Sequence, residues 1–184
     1  MPRDGSQIRS RLQEVALKMY DERGFDEVTS AEIAAAAGVT QRTFFRHFPD
    51  KREVLFDGEA ALSATLVEAI AAAPDARPWA MLFRAFSAVE PLIVKNRRFS
   101  EPRRRIIAAS ASLQERENAK LLLVTSKVSA ALVERGATKQ TAMLLAQLGM
   151  AAFGQAFSLW LDSEPPSFVD RLTQAFKDVH DYSA

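Results

Sequence analysis

The chain has 184 residues, 48% hydrophobic and 26% charged, with a formal net charge of +1. That allows a real core and a small domain beside a larger one, while the charge names no partner until it is located. Without cysteine there are no disulfides, thiolate nucleophiles or Cys-based zinc sites, and with no secretion signal and no apolar run of bilayer length a cytoplasmic protein with no membrane contact is expected.

Residues 1 to 6 read as a frayed tail. From Gln7 to Arg23 the apolar residues Ile8, Leu12, Val15, Ala16, Met19 and Tyr20 recur at helical spacing, which predicts an amphipathic helix capped by Gly24 and closed by Phe25. Thr29 with Glu32 three residues later is a capping box, so a second helix should start at Ser30 and end at Gly38 in a left-handed conformation. Thr40 is another N-cap candidate and opens a short helix over Gln41 to Phe48. Two short helices joined by a tight glycine-containing turn are the sequence form of a helix-turn-helix. Its second helix would present Gln41, Arg42, Thr43 and Arg46, which can donate to phosphates or base edges. Tyr20, Phe25, Ile33, Phe44 and Phe48 are its expected core. Residues 1 to 58 hold 9 Lys/Arg against 10 Asp/Glu, so this head is not basic as a whole. Between Thr40 and Arg52, however, Arg42, Arg46, Lys51 and Arg52 face one acid, Asp50, which focuses positive charge where DNA would lie.

The set Arg23-Gly24-Phe25, Thr29, Ile33-Ala34, Gly38-Val39-Thr40, Thr43-Phe44-Phe45-Arg46-His47-Phe48, Asp50-Lys51 and Leu55 resembles the DNA-binding domain of TetR-family transcriptional regulators. The resemblance covers roughly the first third of the chain, and its combined spacing is far more specific than a lone short motif. It implies a head for double-stranded DNA, with Gln41, Arg42 and Thr43 at bases and Thr29, Thr40, His47 and Lys51 at phosphates. Phe45 and Arg46 complete the expected DNA-facing set. Phe45 stands where the family often has tyrosine, so a hydroxyl able to touch phosphate is absent.

Asp50 with Glu53 forms another capping box, and a helix from Lys51 to Ala73, stopped by Pro74, is expected to lead out of the head. Pro78 opens the next helix, which Pro91 should kink or end near Glu90. Ser100 is expected to cap a helix through Pro102 to Ser112. The basic stretch from Lys95 to Arg105 holds six Lys/Arg against Glu101, and reads either as a solvated turn or as a grip for an anion. A long helix over Leu113 to Arg135, closed by Gly136, precedes one capped by Thr138 that runs to Asp162. This segment is apolar on nearly all sides and rich in small residues, so it needs burial on nearly all sides. Pro165-Pro166 makes a turn, and Ser167 caps the last helix.

No strand pattern appears, so the expected class is all-α: a three-helix helix-turn-helix head over residues 1–50, and a helical ligand-binding and dimerisation domain over residues 51–184. The last two helices resemble the pair through which TetR-family proteins dimerise, with Gly149, Ala152, Ala156, Phe168, Leu172 and Phe176 as the expected homodimer face; a buried hairpin within one subunit is the other reading. In the family, the second domain holds a cavity for a small molecule that weakens DNA binding. Leu66, Trp79, Phe83, Phe86, Phe153 and Phe157 are the candidate lining, and Arg103 or Arg104 could meet an anionic end, so a largely apolar effector is expected. Plain core is the alternative for each aromatic. Neither His47 nor His180 has metal-ligand spacing around it, and no glycine-rich phosphate loop or GxSxG elbow is present, so no enzyme activity, metal or cofactor is expected. The expected function is a repressor released from a palindromic operator by its effector. The alternatives are a ligand-independent regulator or activator, and a helical interaction module without DNA binding.

Overall fold

Gly24 and Gly38 take positive φ angles of 85° and 69°, and at each the chain turns out of a helix as its spacing predicts. The computed structural model describes residues 3–74, 77–162 and 167–183, all-helical among those residues. The helices are α1 (Arg3–Arg23), α2 (Ser30–Ala36), α3 (Gln41–His47), α4 (Glu59–Ala71), α5 (Pro78–Ala88), α6 (Glu90–Lys95), α7 (Arg97–Ala108), α8 (Ala111–Glu134), α9 (Lys139–Asp162) and α10 (Phe168–Ser183). Thr138 caps α9 by accepting from the Thr141 amide at 3.2 Å, and Ser167 caps α10 by accepting from the Asp170 amide at 3.1 Å. The expected Pro165-Pro166 turn lies outside the described residues.

Most helix ends fall within a few residues of expectation, and three differences change the reading. First, α1 begins at Arg3, so the frayed tail is shorter than six residues. Second, α7 begins at Arg97 and carries Pro102 inside it, past the first turn, where proline offers no amide to the Arg98 carbonyl. Third, the helix expected from Lys51 to Ala73 is two pieces, a 3-10 turn over Glu53–Leu55 and then α4. The Asp50 carboxylate does cap, accepting from the amides of Arg52 at 2.7 Å and Glu53 at 3.2 Å. The helix then breaks because Leu55 and Phe56 turn into a core at 1% and 5% exposure, and Asp57 is drawn to Arg9. Gly58, a poor helix former, follows the break.

The chain divides into two compact units, and not at residue 50. Unit 1 holds the residues up to Asp57 together with Arg98–Asn118; unit 2 holds Gly58–Arg97 and the chain from Ala119 onward. The core of unit 1 joins Leu12, Ala16, Tyr20, Ile33, Phe44 and Phe48 to Val54, Leu55, Ile106, Ile107 and Leu113, and Phe99, expected in the second domain, packs here too.

The core of unit 2 is aromatic. Phe86 packs on Phe153 at 5.2 Å and on Phe176 at 6.0 Å, Trp79 lies on Phe176 at 4.4 Å, and Phe153 stacks on Phe157 at 6.1 Å. This corrects the expected dimer face. Gly149, Ala152, Ala156, Phe168, Leu172 and Phe176 are all buried within the single chain. A Cβ on Gly149 would lie 2.9 Å from Phe86, so the small residue admits α5 of the same subunit and not a second copy. By length and composition alone α9 is long and apolar enough to cross a membrane, a test that the core helix of a folded domain also passes. Its other side exposes Met143, Leu144, Ala151, Gly154 and Leu159.

Candidate nucleic-acid interface

The capping box of α2 forms as its spacing predicts. The Thr29 hydroxyl accepts from the Glu32 amide at 3.2 Å and donates to the Glu32 carboxylate at 2.7 Å, while that carboxylate accepts from the Thr29 amide at 2.8 Å and from Arg23 at 2.9 Å. These bonds, the Thr29 hydroxyl first, hold the Glu32 carboxyl down at about 2 against the ordinary 4.5. A group whose folded pKa lies below its unfolded value contributes stability above the unfolded value and loses it as the pH falls through the folded one. The cap should therefore hold above pH 4.5 and be lost as the pH falls toward 2. In an NMR titration, Glu32 is expected to show a midpoint near 2, and Thr29→Val to move it upward; an unmoved midpoint counts against the cap.

In α3, Phe44 and Phe48 form the buried stripe at 0% and 1% exposure, leaving Gln41, Arg42, Phe45 and Arg46 outward. Thr40 caps the helix by accepting from the Thr43 amide at 3.2 Å, the two hydroxyls lie 3.0 Å apart, and the Gln41 amide donates to the Ser30 hydroxyl at 3.2 Å. Arg42 and Arg46 are exposed and have no hydrogen-bond or ion partner among the described residues. Phe45 is 48% exposed beside them. The outer face of α3 thus presents two unspent guanidinium groups, an amide and an apolar ring, a set able to engage phosphates, base edges and a thymine methyl.

Of the expected phosphate set, Lys51 and Thr29 are otherwise engaged. The ammonium group of Lys51 donates to the carbonyls of Phe25 and Val28 at 2.8 Å each and of Asp26 at 3.3 Å, using its three protons. The single hydroxyl proton of Thr29 goes to Glu32. Arg52 pairs with Asp50 at 2.9 Å, so only two of the four basic residues between Thr40 and Arg52 remain unspent. His47 is half-buried with its Nε2 lacking a partner, and burial, then the charges of Arg46 and Arg9, push its pKa down, which disfavours a charged imidazole.

Arg9 was not foreseen. It donates to the His47 carbonyl at 2.7 Å at the end of α3, lies over the Phe48 ring at 4.4 Å, and pairs with Asp57. It lies 38 residues from His47, and no local spacing announces such a contact.

The expected effector residues are also redistributed. Leu66 and Phe86 are fully buried, Phe153 is 9% exposed, and Trp79, Phe83 and Phe157 are partly buried against the same cluster. These rings pack on one another within the core of unit 2. Arg103 belongs to unit 1, where it donates to the Leu55 carbonyl at 2.5 Å, pairs with Glu117 at 3.0 Å and covers Phe56, so its guanidinium is committed there. Arg104 also lies in unit 1 and is partnered. The basic stretch Lys95–Arg105 is largely internal glue: Arg97 lies over Trp160 at 4.5 Å, and Arg105 pairs with Asp21 at 3.3 Å.

Residues 12–57 match the family described as bacterial regulatory proteins, tetR family. Over 56 residues the chain is 36% identical to an HTH-type transcriptional regulator of Staphylococcus aureus, a match that spans 30% of this chain and 30% of that one. Among solved structures, the fold is similar to Thermus thermophilus FadR, a TetR-family transcriptional repressor in complex with lauroyl-CoA, with a TM-score of 0.57, 22% identity, and 92% of this chain and 91% of that one covered. It is also similar to the fatty acid degradation regulator FadR of Bacillus halodurans, with a TM-score of 0.61, 14% identity and 92% of each chain covered.

Proposed function

We propose that this chain, whose residues 12–57 match the tetR family, is a cytoplasmic TetR-type repressor that binds a palindromic operator as a homodimer and is released by an apolar effector. The observation that carries the DNA-reading part is the outer face of α3, with Arg42 and Arg46 exposed and uncommitted beside Gln41 and Phe45. Symmetry carries the rest: a two-fold dimer places two reading helices about one DNA turn apart, which matches an inverted repeat. The exposed side of α9, with Leu144, Ala151 and Gly154, is the face proposed for the second copy, since a helix this apolar needs more cover than one subunit supplies.

Selection from random-sequence duplex DNA tests this reading, and an inverted repeat is the expected product. Arg42→Ala should then cost roughly 1–3 kcal/mol of binding and relax one base preference in each half-site. Binding with no sequence preference, or an Arg42→Ala protein as tight and selective as the parent, would be incompatible with base reading by α3.

For the effector, the cluster of Trp79, Phe83, Phe157 and Phe176 requires an apolar guest that parts the rings. An acyl group, as carried by the lauroyl-CoA bound to the Thermus protein, meets that requirement. A regulator that needs no ligand is the second reading, favoured by how closely the rings already pack on one another. Titrating the protein–operator complex with acyl-CoA of increasing chain length separates the two.

A further inference from the structure

The carbonyls of Phe25, Asp26 and Val28 lie in the turn between α1 and α2, where no helix supplies them with donors. All three converge on the Lys51 ammonium, whose charge also sits 4.3 Å from the centre of the Phe25 ring. The main chain of Lys51 is itself held, because the Tyr20 hydroxyl donates to its carbonyl at 2.7 Å. We propose that Lys51 is a positioning residue of the DNA-binding segment: it clamps the α1–α2 turn, and through it the reading helix, and does not hold a phosphate. The inference rests on the DNA-binding reading above.

The link from clamp to α3 is short. The clamped turn ends at Val28, fully buried, and the next residue, Thr29, is the N-cap of α2. Ser30, the first residue of α2, accepts from Gln41, the first residue of α3. A turn free to move would therefore loosen the cap of α2 and the seat of Gln41 together. The geometry also explains why lysine suits the position. A compact ammonium with three rotatable donors can satisfy three converging carbonyls, whereas the planar fork of arginine matches a carboxylate or phosphate instead.

That difference makes the test sharp, because a clamp and a phosphate contact predict opposite results for the conservative variant. Lys51→Arg, Lys51→Met and the wild type would be titrated against a duplex that the wild type selects from random-sequence DNA. The titrations would span a salt series, at a temperature where circular dichroism shows each protein folded. The clamp predicts that both variants lose about tenfold in affinity at every salt concentration, with the salt slope unchanged. It also predicts faster hydrogen exchange at the amides of Asp26 to Thr29. A phosphate contact predicts that Lys51→Arg binds like the wild type and that Lys51→Met flattens the slope by about one unit per half-site. Either of those results, or unchanged exchange in Lys51→Met, overturns the proposal. Should both Lys51 variants fail to fold, Tyr20→Phe removes only the bond to the Lys51 carbonyl and keeps the charge; weaker binding with an unchanged slope supports the clamp, and unaltered binding contradicts it. If the wild type selects no duplex, the DNA-binding reading itself falls, and the exchange measurement still decides whether Lys51 holds the turn.

Discussion

Gly149→Leu is expected to lower the stability of unit 2 by about 3 kcal/mol or more, at the upper end of what overpacking a filled core costs. Even the first added carbon would lie 2.9 Å from Phe86 and 3.4 Å from Leu82. Neither neighbour can retreat: both are fully buried, and the Phe86 ring is held against Phe153 and Phe176. Urea unfolding followed by tryptophan fluorescence reads this directly, since both tryptophans, Trp79 and Trp160, lie in unit 2. A midpoint equal to that of the parent would show that α5 and α9 do not pack this closely.

The opposite side of the same helix should behave in the opposite way. Leu144 is 57% exposed, so Leu144→Arg should leave the urea midpoint of the subunit nearly unchanged while placing a charge on the proposed dimer face. Sedimentation should then show monomers. Because two linked reading helices bind far more tightly than one, operator affinity should fall by on the order of 10²–10⁴. A Leu144→Arg protein that sediments as a dimer would place the second copy elsewhere. Together the two substitutions separate the side of α9 that builds the subunit from the side left over.

The local features were legible because they depend on neighbours in the chain. The Thr29–Glu32 box, the Thr40 cap and the turns at Gly24 and Gly38 all form where spacing places them. Periodicity likewise separates the buried Phe44 and Phe48 from the outward residues of α3. What periodicity cannot supply is the partner of a face. The small residues of α9 announce a close approach, yet nothing in their spacing says whether the approaching helix is α5 of the same subunit or a helix of another. Lys51 shows the same limit for charge. An ammonium at the start of an expected helix reads as a phosphate contact until the three carbonyls that surround it, 23 to 26 residues earlier in the chain, come into view. The expected helix to Ala73 fails for a related reason: Arg9 and the core of unit 1 capture Phe56 and Asp57 from a distance.

The chain crosses between the two units three times, after Asp57, after Arg97 and after Asn118. Unit 1 is therefore a discontinuous domain, interrupted by an insert and completed only when Arg98–Asn118 returns. A fragment cut at Asp57 would lack Ile106, Ile107 and Leu113 from its core, the bond from Arg103 to Leu55, and the pairing of Arg116 with Glu53 at 2.7 Å. For anyone building chimaeric regulators, the first 57 residues are thus not a transplantable cassette. A graft that keeps this module whole needs three splice points, and the segment that must travel with α1 to α3 lies outside the residues that the family match covers.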